Sequence, residues 1–142
     1  MFVLLTQINW LAVIVAGIAA LAIGVVWYLP PTFGTRWAGF VKRYTGLSDA
    51  DLMPSNIPLT MGLWLLGFIV NAFALAIIIR GMSVSNLVDG ILLGVIVWAG
   101  LGLVISSWPV IHAKQPSGLW LLNGAAYLVM QIVMAAILTL WK

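Results

Sequence analysis

Residues 8–34 read INWLAVIVAGIAALAIGVVWYLPPTFG, and this stretch decides between a buried helix of a soluble domain and a helix that crosses a bilayer. From Ile8 to Leu29 no Asp, Glu, Lys or Arg interrupts the run. At about 1.5 Å of rise per residue, about 20 such residues cross about 30 Å of hydrocarbon. Trp27 and Tyr28 come where the run ends, at the headgroup level that suits a ring with one polar atom. Pro30 and Pro31 follow, lacking the amide hydrogens that would extend the helix. The reading is a membrane-spanning helix with an aromatic exit. The residues before it contain no Lys or Arg and the run exceeds the length of a signal-peptide core, so it is read as a retained span.

The rest of the chain agrees. With 64% hydrophobic and 6% charged residues over 142 positions, polar surface falls far short of the about 25% charged residues of a soluble domain. Three further apolar runs extend from Ile57 to Ile79, Leu87 to Ser107 and Leu119 to Trp141. Runs this long satisfy their own backbone in lipid as helices rather than as the alternating strands of a barrel. The expected architecture is one all-α integral membrane domain over residues 1–142, with four spans at 8–29, 57–79, 87–107 and 119–141. A short amphipathic helix is expected after the first span. In Thr35 to Leu47, TRWAGFVKRYTGL, the residues Trp37, Phe40, Val41, Tyr44 and Leu47 share one face while Arg36, Lys42 and Arg43 point elsewhere. That pattern suits a helix lying in the interface against lipid headgroups.

Charge lies in or beside the connections. Arg36, Lys42, Arg43 and Lys114 belong to the first and third, Arg80 and Lys142 to the other side. The positive-inside rule then places both termini outside the cytoplasm. The net charge of +3 forms no basic patch for nucleic acid. Trp10, Trp27, Tyr28 and Trp37 read as interfacial aromatics, and Trp98 is the exception because it falls mid-span.

Within the spans, small and polar residues carry the information. Gly17 and Gly24 in the first span, and Gly90, Gly94 and Gly102 in the third, suit close helix packing. Asn123, Tyr127 and Gln131 are spaced to share one face of the fourth span. Together with Asn9, Asn71 and Asp89 they form a candidate polar cluster, opening toward the non-cytoplasmic side and serving either as interhelical glue or as the lining of a pathway. Asp89 also suits the amino-terminal end of its own helix. The sequence has no cysteine and lacks a nucleotide, zincin or hydrolase motif. His112 has no nearby acid or second ligand, so no catalytic residue, metal or cofactor is expected.

The chain resembles a known family at several points. Ile8-Asn9-Trp10 opening the first span, Gly24 with Trp27-Tyr28 and Pro31, then Phe33-Gly34 and Trp37, are similar to the amino-terminal pattern of the bacterial membrane family catalogued as domain of unknown function 1761. Leu119 to Tyr127, LWLLNGAAY, and the closing Leu140-Trp141 resemble its last helix. The connection Pro109 to Gly118 is less basic than that family's. The resemblance implies a small bacterial four-helix protein of the cytoplasmic (inner) membrane and implies no activity. Two functions are carried forward: a non-enzymatic assembly or accessory protein that packs with itself or a membrane partner, and a small oligomeric permease or channel for a solute or proton. Lipid is the expected surrounding in both.

Overall fold

The computed structural model describes residues 5–141. Its elements are helices α1 (Trp10–Trp27), α2 (Thr35–Thr45), α3 (Ile57–Gly81), α4 (Leu87–Val97), α5 (Val104–Ser106), α6 (Trp108–His112) and α7 (Ser117–Leu140). Two π-helical segments join them, Pro30–Gly34 between α1 and α2 and Trp98–Leu103 between α4 and α5. Four stretches are long and apolar enough to cross a membrane: Trp10–Trp27, Ile57–Gly81, Leu87–His112 and Ser117–Leu140. The all-helical, multi-pass architecture read from the sequence therefore holds. The third span departs from it in detail, since it passes through a wide π turn at Trp98 instead of running as one α-helix.

Asparagine starts three of the spans. The side-chain oxygens of Asn9, Asn56 and Asn86 accept from the backbone N–H groups of Ala12, Leu59 and Asp89 at 3.1, 3.0 and 2.9 Å. Each thereby satisfies one of the orphan donors at a helix start. The first span ends as its sequence demands: Leu29 turns extended and Pro30-Pro31 occupy the first positions of a new turn, where the missing N–H groups cost nothing. The chain then resumes as α2, which stops at Gly46 in the left-handed conformation.

The core belongs to α1, α3 and α7. Val13, Ala16 and Ala20 of α1 meet Ala72, Leu75 and Ile79 of α3 and Ala126, Met130 and Met134 of α7, all buried. Small side chains let these backbones approach. At Gly17 an added Cβ would lie 2.7 Å from Ile69 Cγ1 and 3.1 Å from the Ile69 backbone N. The third span packs mainly on α7. There Gly94 would place a Cβ 2.8 Å from Ala135 Cβ, and Gly90 has no room beside the Thr139 hydroxyl. Gly24 meets only the flexible end of Met130, at 3.0 Å. Gly102 departs from the expected packing role, because the nearest atom to its Cβ position is 3.7 Å away in Trp98 of its own segment. Gly102 lines the gap that Tyr127 and Gln131 of α7 also line, without touching them.

α2 lies across the end of the bundle rather than only on lipid. Gly118 at the start of α7 sits under the Phe40 ring, and Trp37 packs edge-on to Tyr28 with ring centroids 5.7 Å apart. Lys42 reaches Asp49 at 2.8 Å, fixing the chain just beyond the helix.

Candidate functional site

Three turns of α7 bring Asn123, Tyr127 and Gln131 onto one face, as their spacing requires. The structure divides their environments. Gln131 is buried and its side-chain oxygen accepts from Asn71 Nδ2 at 3.0 Å, linking α7 to α3 near the midpoints of both helices. Asn123 is half-buried and its side-chain oxygen accepts from the Tyr28 hydroxyl at 2.8 Å. Tyr127, between them, is 42% exposed. Its hydroxyl and the Asn123 amide nitrogen have no hydrogen-bond partner among the described residues.

Open space follows this polar stripe. One cavity of about 430 Å³ is lined by Tyr28, Trp37, Trp64, Phe68, Asn123 and Tyr127 among others. It is bounded toward the first connection by Leu52 and Pro54. Trp64, Phe68 and Tyr127 also line a neighbouring groove that reaches Asn71. Beyond it, α3 and α4 have little mutual contact although a short connection joins them. The gap between them holds about 420 Å³, lined by Asn71, Val97, Trp98, Ser106, Tyr127 and Gln131. Tyr127 lines all three spaces, which follow one another along the polar face of α7.

Two members of the expected cluster lie elsewhere. Asn9 caps α1 at the far end of the bundle, where the space it shares with Arg80 and Trp141 is about 10 Å³, room for about one water. Asp89 is exposed and forms a reciprocal cap with Asn86, whose side-chain amide donates to its carboxylate. Helix capping, a local backbone need, claims both residues before any tertiary partner. The cavity lies at the Tyr28 end of the bundle, on the side of the first and third connections and away from Asn9 and Asp89.

The interfacial aromatics divide similarly. Trp10 stacks on Phe73 with centroids 5.1 Å apart, and Trp27 stacks on Phe33 at 4.4 Å. Tyr28 and Trp37 instead face the cavity. Trp98 and Trp120 do more than their positions announced. The Trp98 indole donates to the Gly124 carbonyl at 3.0 Å, and the Trp120 indole donates to the Ser106 hydroxyl at 3.1 Å. Together they clasp the second half of the third span to α7. Trp98 carried one signal in the sequence, its mid-span position; Trp120 carried none.

Outside the spans, the Ser48 hydroxyl and then the Ser48 backbone N–H hold the Asp51 carboxyl below its usual range. No group of three His, Cys, Asp or Glu side chains able to hold a metal occurs among the described residues.

No curated protein and no solved structure matches the chain. A family model does, over residues 11–139, nearly the whole length and just short of the Asn9-Trp10 opening. The chain belongs to that family, described as protein of unknown function (DUF1761).

Proposed function

We propose that this multi-pass protein is non-enzymatic and acts by assembling in the membrane, with a second copy of itself or with a membrane-protein partner. The observation that supports the reading is the position of the third span. α4 rests on α7 through Gly90 and Gly94, while its other faces expose Val88, Leu92 and Ile96 at 74%, 55% and 57%. A helix held on one side can receive another helix without disturbing the core. The proposed setting is a bacterial inner membrane, with both termini outside the cytoplasm and α2 along the inner leaflet.

The alternative is a small oligomeric permease or channel for a solute or proton, and a single chain supplies little of its pathway. The polar stripe ends at Gln131, and beyond it α7 continues as Met134, Ala135 and Leu138, packed on Val13, Leu75 and Ile79. That half is an apolar plug rather than a passage. A pathway would have to be built between chains.

The test uses the absence of cysteine from the sequence. Single cysteines at Leu92 or Ile96 are expected to cross-link in native membranes, giving an adduct of one defined mass, whereas a cysteine at Val25 on α1 gives none. Native-membrane pull-down then separates self-assembly from a stoichiometric partner. Failure of Leu92 and Ile96 to cross-link, together with a monomeric mass in nanodiscs and no stoichiometric partner, refutes assembly. Cysteines at Thr6, Thr45 and Ser117, labelled with an impermeant reagent in whole cells, test orientation. Labelling at Thr45 or Ser117 but not at Thr6 inverts it.

A further inference from the structure

We propose that the cavity between Tyr28, Trp37, Trp64, Phe68, Asn123 and Tyr127 binds a neutral, planar, carbonyl-bearing ring on an apolar tail, the chemistry of a lipid-soluble quinone. Its volume of about 430 Å³ falls within the range of about 300–1,000 Å³ typical of small-molecule sites. The walls are apolar and aromatic, and every lining residue is uncharged. Charge is therefore not what the site reads. Lys42, the nearest cation along the mouth, is already occupied by Asp49 at 2.8 Å.

Unpaired donors remain among the lining groups. Asn123 uses its side-chain oxygen on the Tyr28 hydroxyl, which leaves its N–H groups unpaired, and the Tyr127 hydroxyl is also free to donate. Two unpaired donors lining one uncharged cavity are matched by a carbonyl oxygen, an acceptor without a formal charge. The aromatic walls supply the second half of the specificity. Tyr28 with Trp37, and Trp64 with Phe68, present paired rings with centroids 5.7 and 5.9 Å apart. Such rings favour a flat partner over a bundle of acyl chains. Trp64, Phe68 and Tyr127 also line the neighbouring groove beside Asn71, which lies where the tail would leave the ring.

The full chain in lipid nanodiscs can be titrated with decylubiquinone, following quenching of tryptophan fluorescence. A tryptophan-containing transmembrane peptide in identical nanodiscs gives the partitioning background. A saturable component of one quinone per chain, above that background, is expected. Tyr127→Phe removes a hydroxyl that no described residue uses, so the melting temperature should be unchanged while affinity falls about twofold to tenfold, the effect of one neutral hydrogen bond. Asn123→Ala should reduce affinity further, and Tyr44→Phe, outside the cavity, should not. Quenching no different from the peptide control overturns the proposal. So does saturable binding that neither Tyr127→Phe nor Asn123→Ala weakens, or displacement of the quinone by dioleoylglycerol at equal concentration, which would mean that the site reads an acyl ester rather than a ring.

Discussion

The bond between Asn71 and Gln131 makes a quantitative demand on the fold. Its length is 3.0 Å, Gln131 is only 5% exposed and Asn71 is half-buried, so the Gln131 side chain in particular has little water to replace a lost partner. Gln131→Leu keeps nearly the same volume, and its packing cost is therefore small. What changes is the Asn71 amide, left unpaired at a cost of about 1–3 kcal/mol. Asn71→Leu has the mirror effect on the Gln131 oxygen. Replacing both removes the penalty, so the double variant should be less destabilised than the two singles added together. Bonds of this kind between membrane helices average about 0.6 kcal/mol and reach about 1.7 kcal/mol in double-mutant cycles. A coupling between those two values is the expected result, measured by reversible unfolding in mixed micelles. A coupling within about 0.3 kcal/mol of zero, the ordinary additivity of independent sites, would refute the bond and with it the register of α7 against α3.

Other consequences can be checked in the same assay. Gly94→Leu must displace either Ala135 Cβ at 2.8 Å or the Gln131 carbonyl at 3.2 Å, and should cost about 1–3 kcal/mol; Gly102→Leu, facing no neighbouring helix, should be close to neutral. Asn86→Ala should cost about 1 kcal/mol through the lost cap, and Asp89→Asn about 0.3–1 kcal/mol, with no proton or cation flux into proteoliposomes either before or after the change. Asp51 gives a pH dependence of defined sign. Because Ser48 depresses its folded pKa, the contact is fully stabilising above the unfolded carboxylate pKa and is lost as pH falls through the depressed folded value. Protection of the Ser48 amide, its exchange measured against the intrinsic rate at each pH, should therefore fall at acid pH, and Asp51→Asn should abolish that acid-side change.

How much of this was legible in the sequence differs from residue to residue. The spans were legible because bilayer thickness fixes their length, and the aromatic and proline exit of α1 because each residue type has a direct physical meaning there. The stripe Asn123, Tyr127 and Gln131 followed from helical periodicity, and Asn71 joined Gln131 as expected. Asn9 stands apart from the cluster and Asp89 takes the helix-start place also read for it, because a polar residue at a span end has two competing uses, and the local one wins: an asparagine three residues before a free backbone N–H meets it without any tertiary search. That rule would also have found Asn56 and Asn86. The π turn at Trp98 had no comparable signal. It begins where the Trp98 indole meets the Gly124 carbonyl, a contact between two helices that no single-helix pattern contains.

The two halves of α7 differ in a way that leaves room in so small a chain for both the proposed assembly and the proposed ligand. Toward the termini, α7 is held by close contacts: Thr139 against Gly90, Ala135 against Gly94, and Met130 and Met134 in the core with Val13. Side chains there have no space to rearrange, so this half fixes the relative positions of α1, α3, α4 and α7. Toward the first and third connections the contacts change in kind. The third span is tied to α7 by the indoles of Trp98 and Trp120, while Leu101, Val104 and Ile105 are exposed at 58%, 61% and 71%. Two directional bonds leave more freedom than a row of interlocked backbones, and the groove lies against this half. A partner helix seated on the outer side of α4 would bear on the fixed half, leaving the clasped half free to adjust around a ligand.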